Sequence, residues 1–380
     1  MGDIIKRNKL LFVVNDAGFF LSHRLPLACA AKAAGYEVYV ATPDGANVDK
    51  IRNYQFGLYL IPMSRKGIVP MAELRSIFAL YQLYRQTVPD IVHHITIKPV
   101  LYGGLMARLA GVRSMVSAIT GLGFVFVNQG FKTQLLRLSV RMAYRFALAH
   151  WNSRVIFQNP DDRALFIERN FVKENRAVLI QGSGVDMSRF APTPESEGTP
   201  LVVLVARMIW DKGVAEFVEA ARRLGALGVK ARFALVGDSD QGNFAAVPIS
   251  QLIAWRDEGV VEWWGHQGDM PKVLAQAHVV CLPSFYGEGV PKSLIEAAAS
   301  GRPIVTTNMP GCREIVQNEE NGLLVRPRDV DSLVTALRRL IEDGDLRKRF
   351  GTRGREIAMA GFSIEQVVAE TLAVYKELLA

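Results

Sequence analysis

Short apolar runs alternate with longer segments of helical period along the first half of the chain. The runs are rich in Val, Ile and Leu and occupy residues 10–14, 38–42, 91–95, 115–119 and 155–158. Continuous apolar runs are typical of strands buried on both faces, and such strands occur in parallel sheets covered by helices. The pattern therefore predicts a doubly wound α/β domain.

A proline-rich break separates this pattern from a second copy of it. Residues 191–200, APTPESEGTP, predict a linker because their three prolines cannot lie inside a helix or a central strand. Beyond the break, further strands are predicted at residues 201–206, 232–236, 260–264, 279–283, 304–307 and 322–325. Residues 363–379 have apolar side chains at helical spacing and predict a closing amphipathic helix.

These segments predict two Rossmann-like domains. The expected organisation is an N-terminal domain at 1–190, the linker at 191–200, a C-terminal domain at 201–362 and a final helix at 363–380 that packs back on the N-terminal domain. A length of 380 residues fits this division, since one hydrophobic core seldom spans so long a chain. Open parallel sheets bind ligands at the carboxyl ends of their strands, so the chemistry is expected in a cleft between the two domains.

Composition narrows the class of protein. Hydrophobic residues make up 49% of the chain and charged residues 22%, which is typical of a globular protein and not of a disordered one. The apolar stretch at 116–127 is shorter than the roughly 20 residues of a membrane-spanning helix, so no transmembrane segment is predicted. The three cysteines are isolated from one another, which predicts neither a disulfide framework nor a metal site and favours the cytoplasm.

The net charge of +8 predicts attraction to an anionic partner. Phosphates, a nucleic acid and a negatively charged bilayer surface all satisfy this condition, and charge alone leaves the three open. A polyanion-binding protein without catalysis is therefore one alternative. The basic residues do not form a nucleic-acid-binding module, so no nucleic-acid partner is expected.

The segment at 284–301, SFYGEGVPKSLIEAAASG, carries the first candidate chemistry. Gly289 allows close backbone approach, and Pro291 suits the first position of a helix. The free N–H groups and the positive dipole end of that helix would bind a diphosphate. Glu288 before the helix and Glu296 within it can contact different parts of one ligand, a sugar and a ribose.

A second candidate group lies in ARMIWDKG at 206–213, at the end of the first strand after the break. Arg207 and Lys212 lie on a strand-to-helix turn and can converge on the same phosphates. The guanidinium binds two oxygens at once, and the ammonium acts as a point charge. Together they would neutralise a departing nucleoside diphosphate.

These motifs resemble those of a known enzyme family. ARMIWDKG at 206–213 and EGVPKSLIE at 288–296, together with LVGD at 235–238 and NGLLVRPRD at 321–329, are similar to segments of retaining glycosyltransferases of family 4, which have the GT-B fold. Segments of the first half most resemble bacterial members that act on polyprenyl-diphosphate-linked sugars: NDAGFFLSHRLPLA at 15–28, HHITIKPVLYGGLMARLAGV at 93–112, TGLGFVF at 120–126 and QGSGVDMSRF at 181–190.

The resemblance implies roles for individual residues. Arg207 and Lys212 match residues that bind the donor diphosphate, Glu288 matches one that contacts the transferred sugar, and Glu296 matches one that hydrogen-bonds the ribose. The first three are the predicted catalytic residues. The predicted donor-binding set is Gly18, Arg207, Lys212, Gly237, Gly265, Gly289, Val290 and Glu296.

The resemblance also implies that the first domain binds the acceptor. Family members often have a histidine after the fourth strand or in the loop after the fifth. This chain has His93 and His94 in the former region, and it has Thr120 and Gly121 where a His-Gly pair is common. The predicted acceptor-binding set is His23, His93, His94, Lys98, Thr120 and Gly121.

The implied reaction requires no separate metal ion. Breaking the anomeric carbon–oxygen bond develops negative charge on the diphosphate, which fixed cations and a helix N-terminus stabilise. Asp238-Ser239-Asp240 imitates a metal-binding Asp-x-Asp motif, but it follows a strand of the second domain, and this position argues against that role. The family resemblance implies same-face attack by the acceptor hydroxyl, with the departing phosphate accepting its proton.

Residues 131–150, FKTQLLRLSVRMAYRFALAH, predict a basic amphipathic helix. Lys132, Arg137, Arg141 and Arg145 stand among large apolar side chains, as in helices that lie on an anionic membrane. The alternative is a domain helix whose basic face is solvated. A lipid-linked acceptor favours membrane association at the cytoplasmic face.

The sequence thus predicts a retaining, metal-independent hexosyltransferase. Its expected donor is a UDP-sugar, with an N-acetylhexosamine as the transferred group, and its expected acceptor is a polyprenyl-diphosphate-linked saccharide in bacterial O-antigen, capsule or glycoprotein oligosaccharide assembly. Two alternatives of the same fold remain open: an epimerase of a UDP-sugar, and a transferase to a soluble or phospholipid acceptor.

Overall fold

The computed structural model describes residues 7–64, 69–121, 141–240 and 242–380. The chain forms two compact units. The first comprises Met1–Ser183 and Glu365–Ala380, and the second comprises Gly184–Ile364. Each unit has its own parallel sheet with helices packed against it, so the predicted pair of doubly wound α/β units is confirmed.

The sheet of the first unit has the strand order β3-β2-β1-β4-β5-β6-β7. Its strands are β1 (Lys9–Val14), β2 (Glu37–Thr42), β3 (Gly57–Leu60), β4 (Ile91–Ile95), β5 (Ser114–Ile119), β6 (Ser153–Phe157) and β7 (Ala177–Leu179). Its helices are α1 (Ala17–His23), α2 (Leu25–Ala33), α3 (Val48–Arg52), α4 (Pro70–Thr87), α5 (Gly104–Ala110), α6 (residues 141–147), α7 (Pro160–Glu168) and α15 (Ile364–Leu379), with a π-helical turn at Pro99–Gly103.

The strand order reverses between β1 and β4, so the loops that follow these neighbouring strands lead to helices on opposite faces of the sheet. Such a switch point is where open α/β sheets bind ligands. The two loops contact each other here, because the Thr96 hydroxyl after β4 donates a hydrogen bond of 2.8 Å to Asn15 Oδ1 after β1. Thr96 has a φ of 74°, an uncommon conformation for a β-branched residue.

The last helix packs on the sheet of the first unit. Val374, Tyr375 and Leu378 of α15 are buried in one core cluster with Phe12 of β1. The Tyr375 hydroxyl lies 2.6 Å from Nδ1 of His93, a residue of β4. The end of the chain therefore completes the core of the unit in which the chain begins.

Two adjacent histidines of β4 face opposite sides of the sheet. His93 contacts Tyr375, whereas Nε2 of His94 lies 2.8 Å from the Tyr84 hydroxyl of α4. Burial lowers the pKa of His93 well below its ordinary value, with a further lowering by Arg24, and burial lowers the pKa of His94 to about 3. Both imidazoles are therefore neutral at physiological pH.

Mild acid is expected to destabilise the protein through these two histidines. In the unfolded chain each imidazole binds a proton near its ordinary pKa of about 6.5, but in the folded chain each stays neutral to much lower pH. The unfolded state therefore binds more protons below about pH 6.5, and stability falls with falling pH by up to about 1.4 kcal/mol per pH unit for each group.

Urea unfolding at a series of pH values checks this expectation. A His94→Gln variant removes one of the two titrating groups and should flatten the decline of stability between about pH 6.5 and pH 4. An equally steep decline in the wild-type protein and the variant would contradict the assignment to His94.

The sheet of the second unit has the order β10-β9-β8-β11-β12-β13. Its strands are β8 (Leu201–Val205), β9 (Arg232–Val236), β10 (Glu262–Gly265), β11 (Val279–Leu282), β12 (Ile304–Thr307) and β13 (Gly322–Val325). Its helices are α8 (Val214–Ala226), α9 (Ile249–Asp257), α10 (Met270–Gln276), α11 (Lys292–Ala299), α12 (Cys312–Ile315), α13 (Val330–Glu342) and α14 (Gly344–Gly361).

Side chains along the central strands of the second sheet point alternately to its two faces and pack into a hydrophobic core on each face. Val202 and Leu204 of β8 face a cluster that includes Phe217 of α8 and Leu337 of α13. Leu201 and Val203 face the opposite cluster, which contains residues of α11 and α14. Because side chains alternate between the faces of a strand, one apolar run fills both cores. The order reverses between β8 and β11, which is the switch point of this sheet.

The segment predicted as a linker is bound to the second unit. Arg302, whose side chain is fully buried, donates a hydrogen bond of 2.7 Å to the Thr193 hydroxyl, and Arg347 donates two, of 3.0 and 2.9 Å, to Glu195. The change of unit lies earlier in the chain than residues 191–200, at Ser183–Gly184. Residues 191–200 form no helix or strand, and these side-chain contacts anchor them to the second unit.

None of the described helices is long and apolar enough to cross a membrane.

Candidate functional site

The loop after β8 presents the first two predicted site residues. Arg207 follows the strand directly, and Lys212 ends the short 3₁₀ turn Trp210–Lys212 before α8. The Arg207 guanidinium is about half exposed and forms an ion pair with Asp240. The Lys212 side chain is only 12% exposed. The structure therefore places one accessible and one enclosed cation at the carboxyl end of a central strand.

The loop after β11 presents the predicted glutamate. Glu288 forms an ion pair with Lys212, and its other carboxylate oxygen accepts a hydrogen bond of 2.7 Å from the Ser284 hydroxyl. Its side chain is 11% exposed. Since β8 and β11 are neighbours at the switch point, their loops meet, and the sheet itself brings Lys212 and Glu288 together.

Backbone packing fixes the glutamate loop. Gly311, just before α12, has a φ of 84°, and a Cβ placed on it would lie 1.5 Å from the Gly289 carbonyl oxygen. Only glycine permits this approach. Val290 is buried and Pro291 is the N-cap of α11, so the polypeptide enters that helix along a defined path. The positive end of α11 therefore lies directly after Glu288.

Glu296 lies inside α11 and is almost completely buried. Its Oε1 lies 3.6 Å from Lys292 Nζ, one turn earlier in the helix. Burial raises the pKa of the Glu296 carboxyl, and the positive charges of Lys292 and Arg189 oppose that effect. A buried carboxylate of this kind is a directional hydrogen-bond acceptor for a ligand hydroxyl.

Two glycines predicted to bind the donor lie side by side: Gly237 directly after β9 and Gly265 at the end of β10. The Gly237 N–H donates a hydrogen bond of 2.8 Å to the Gly265 carbonyl oxygen. Gly237 has a φ of 137°, and a Cβ on it would lie 1.9 Å from the Ala206 carbonyl oxygen, immediately before Arg207. The glycines thus let three strand ends pack closely, which is a supporting function and does not require ligand contact.

Three further residues of this region were not predicted. Asp240 binds Arg207, and Ser284 binds Glu288. The Arg328 guanidinium lies 4.3 Å from the centre of the Phe285 ring, beside the glutamate loop. Arg328 lies in NGLLVRPRD, a segment already recognised in the sequence, but no feature of that segment indicated this contact.

The Asp238-Ser239-Asp240 motif has other partners in the structure. Asp238 Oδ1 accepts a hydrogen bond of 3.0 Å from the His266 N–H, and Asp240 binds Arg207. Ser239 donates to the Val247 carbonyl oxygen at 2.7 Å. Within the described residues, no group of three or more His, Cys, Asp or Glu side chains is arranged to bind a metal ion.

In the first unit, two predicted residues lie on α1. Gly18 is in the first turn of this helix, after Asp16, whose carboxylate caps the Phe19 N–H at 2.7 Å. His23 ends the helix, and its ring stacks on Phe19 with centroids 4.1 Å apart. Both positions follow β1 and are close to the switch point of this sheet.

The other first-unit residues are spread over two strand ends. Lys98 follows β4 and forms an ion pair of 2.7 Å with Glu73 of α4, in which both side chains are largely buried. Thr120 and Gly121 follow β5 and are partly exposed. The next residues, 122–140, lie outside the described part of the chain.

The structure does not support acceptor contacts by His93 and His94. Both lie within β4, with side chains 1% and 0% exposed, and each has a tyrosine partner in the core. A bound saccharide could reach neither ring without opening the core. These histidines are therefore structural, and their interpretation as site residues was wrong because both lie inside the strand 91–95, whereas the histidine of the family follows its strand.

The architecture defines a class of protein. The chain has two doubly wound units, and the second carries two cations, a glutamate ion-paired with one of them and a helix N-terminus at its switch point. This combination is characteristic of nucleotide-sugar-dependent glycosyltransferases. The chain belongs to this class: residues 9–159 match the family "Glycosyl transferase 4-like" and residues 188–357 match the family "Glycosyl transferases group 1".

Curated relatives extend along nearly the whole chain. The N,N'-diacetylbacillosaminyl-diphospho-undecaprenol alpha-1,3-N-acetylgalactosaminyltransferase of Campylobacter jejuni is 29% identical over 362 residues, which cover 91% of this chain and 93% of the relative. The UDP-Gal:alpha-D-GlcNAc-diphosphoundecaprenol alpha-1,3-galactosyltransferase of Escherichia coli is 26% identical and covers 84% of both chains.

Solved structures confirm the GT-B fold. The Anabaena protein Alr3699/HepE in complex with UDP-glucose has a TM-score of 0.77 at 19% identity, covering 96% of this chain and 99% of its own. The sucrose-phosphate synthase of Thermosynechococcus elongatus has a TM-score of 0.82 at 21% identity, covering 98% of this chain and 99% of its own. These structures show the fold, and the family matches show that the chain is a glycosyltransferase.

Proposed function

We propose that the protein transfers an N-acetylhexosamine from a UDP-linked donor to a polyprenyl-diphosphate-linked saccharide, with retention of anomeric configuration. The observation that carries this proposal is the ion pair of Lys212 with Glu288 at the switch point of the second sheet, with Arg207 on the same loop as Lys212. This arrangement provides positive charge for a diphosphate and a carboxylate for a sugar within one site.

The donor assignment rests on the site and on similar proteins. A diphosphate bound at the start of α11 would contact the positive helix end, with Arg207 and Lys212 as counter-charges. The bound ligand of Alr3699/HepE is UDP-glucose, and the Escherichia coli relative is named for a UDP-Gal donor. The Campylobacter jejuni relative is named for transfer of an N-acetylgalactosaminyl group, which favours an N-acetylated sugar here.

The cations promote departure of the nucleotide. As the anomeric carbon–oxygen bond breaks, charge builds on the leaving diphosphate, and fixed positive groups stabilise that charge more than they stabilise the ground state. The acceptor hydroxyl forms the new bond to the same face of the sugar, and its proton passes to the departing phosphate. Glu288 would contact the sugar undergoing transfer, and Glu296 would accept a hydrogen bond from the ribose.

Arg207 and Lys212 both have carboxylate partners within the protein. Binding of a diphosphate would therefore replace or share these ion pairs. Both cations are already positioned by Asp240 and Glu288, so little side-chain ordering is required when the donor binds. The proposed reaction uses these side chains as the charge-stabilising groups and needs no metal ion.

The acceptor assignment rests on the relatives. Both relatives are named for sugars linked through a diphosphate to undecaprenol, and a third, CapM of Staphylococcus aureus, is named for capsular polysaccharide biosynthesis. The first unit supplies candidate acceptor contacts at Thr120, Gly121 and His23. A lipid-linked acceptor places the protein at the cytoplasmic face of the membrane, and the basic segment 131–150 would contact it, although residues 131–140 lie outside the described part of the chain.

A donor panel tests this proposal. Binding of UDP, GDP and ADP to the purified chain by titration calorimetry should favour UDP, and slow hydrolysis should select one UDP-N-acetylhexosamine. Arg207→Ala should weaken UDP binding by roughly tenfold to a hundredfold, because a charge-assisted hydrogen bond contributes about 1.5–3 kcal/mol.

Arg349→Ala is the matched control, since Arg349 is an exposed arginine of α14 and is not one of the residues of the proposed site. It should bind UDP as the wild-type chain does. Absence of nucleotide binding throughout the panel would overturn the proposed donor. Conversion of the UDP-sugar to its epimer without any acceptor would favour an epimerase instead.

A further inference from the structure

Three helices of the first unit lie side by side on one face of its sheet. Val92 and Met115 pack with α4 and α5, and the strand register places Val155 of β6 on that same face. Val155 packs with Tyr144 of α6. Since alternate strand residues share a face, α4, α5 and α6 form a single layer. The outer side of this layer is one continuous surface.

This outer surface is unusually apolar. A helix on a sheet normally directs its apolar side inward and polar side chains outward, yet α4 has a second apolar stripe on its outer side. Met71, Leu74 and Phe78 are spaced at helical intervals and are 75%, 60% and 58% exposed. The stripe continues on the neighbouring helices with Leu109 of α5 and Phe146 of α6, which are 64% and 53% exposed.

The charges of the same layer are of one sign. Arg75 and Arg85 of α4, Arg108 of α5 and Arg145 of α6 are exposed beside the apolar stripe. Residues 69–151 contain nine lysines and arginines but only two acids, Glu73 and Asp90.

Of the two acids, Asp90 lies near one of these arginines, since it lines one cleft with Arg85, whereas Glu73 is buried. Glu73 is buried against Lys98, and Asp90 accepts a hydrogen bond of 2.8 Å from the Lys9 N–H at the amino end of the strands. Most of the net charge of +8 therefore arises in this part of the chain.

We propose that the outer surface of α4, α5 and α6 docks on an anionic lipid bilayer. Large apolar side chains bordered by arginines are what an interfacial surface requires, because the apolar groups enter the acyl boundary while the arginines contact anionic headgroups. A protein partner would need an extended acidic surface with apolar sockets, whereas a bilayer presents both features everywhere. The inference extends the proposed function, since the lipid-linked acceptor resides in the same bilayer.

Vesicle flotation of the full chain tests the surface. Wild-type protein should bind vesicles of phosphatidylglycerol mixed with phosphatidylcholine, bind pure phosphatidylcholine much less, and dissociate as salt is raised. Leu74→Ser combined with Phe78→Ser should lower the partition constant at least tenfold, since two buried apolar side chains are lost. Arg75→Glu combined with Arg145→Glu should lower it by a similar factor on anionic vesicles alone.

The second unit offers matched controls of the same chemistry. Phe244 is 99% exposed and Arg349 is exposed, so Phe244→Ser and Arg349→Glu should leave partitioning unchanged. Equal losses in the controls, or unchanged binding by both first-unit variants, would overturn the proposed surface. If the protein binds anionic vesicles through some other surface, both first-unit variants will bind as the wild-type chain does.

Hydrolysis of the UDP-sugar in the absence of lipid separates this inference from the proposed function. The first-unit variants should hydrolyse the donor at the wild-type rate, because the substituted residues are in a different unit from Arg207 and Lys212. If the wild-type chain floats with anionic vesicles but does not hydrolyse the UDP-sugar, the result would count against the proposed transferase alone. Normal hydrolysis with unaltered flotation of the variants would count against the docking surface alone.

Discussion

Lys212→Ala is expected to lower the rate of sugar transfer by roughly 10²–10³-fold, the usual effect of removing one group that stabilises transition-state charge. The substitution removes a cation from the proposed diphosphate site and also leaves Glu288, an 11% exposed carboxylate, without its ion-pair partner. Steady-state transfer kinetics would show the loss mainly in kcat, since leaving-group charge develops only as the bond breaks.

Lys348→Ala is the matched control for this experiment. Lys348 is 73% exposed on α14 and should be replaceable without effect on transfer. A thermal melt of both variants shows whether the Lys212 substitution alters folding as well as activity. Transfer by a folded Lys212→Ala variant within about threefold of wild type would contradict the role given to this lysine.

Gly311→Ala is expected to destabilise the second unit by roughly 2–6 kcal/mol and to weaken donor binding. The added methyl group would meet the Gly289 carbonyl oxygen at 1.5 Å, and the backbone has a φ of 84°. Strain of this kind costs about 1–3 kcal/mol and steric overlap a similar amount. Because Gly289 adjoins Glu288, the loop that presents the carboxylate must shift, and UDP titration should detect the shift.

Gly225→Ala is the corresponding control. Gly225 lies within α8, and no atom lies within 4 Å of the position a Cβ would take. Alanine there should be neutral or stabilising by up to about 1 kcal/mol, since alanine favours helix formation. Equal melting temperatures of the two variants would contradict the importance of the close approach at Gly311.

Much of the fold was predictable because most of the strands are continuous apolar runs, which are an unambiguous signal. Residues 91–95, 232–236, 304–307 and 322–325 were predicted as strands with the bounds that the structure shows. The two edge strands of the first sheet gave no such signal. β3 and β7 contain four and three residues, and runs so short cannot be distinguished from loop segments by periodicity.

The site was predictable only where a local motif contains it. Lys212 and Glu288 were each predicted from a local motif. They stand 76 positions apart in the chain, and they meet because the strands that precede their loops are neighbours in a doubly wound sheet. The pairing of Arg207 with Asp240 depends on the path of an irregular loop, for which no sequence pattern exists. His93 and His94 show the opposite error, since a polar residue near a strand end was interpreted as exposed.

The anchored segment before β8 decides where the second unit can be cut. A fragment that begins at Leu201 would omit Thr193 and Glu195, and the buried guanidinium of Arg302 would lose its hydroxyl partner. A fragment of residues 184–364 retains these contacts. A second unit that begins at residue 184, expressed alone or joined to the first unit of a relative, should therefore fold. One that begins after the prolines should not, although the prolines are the more obvious boundary in the sequence.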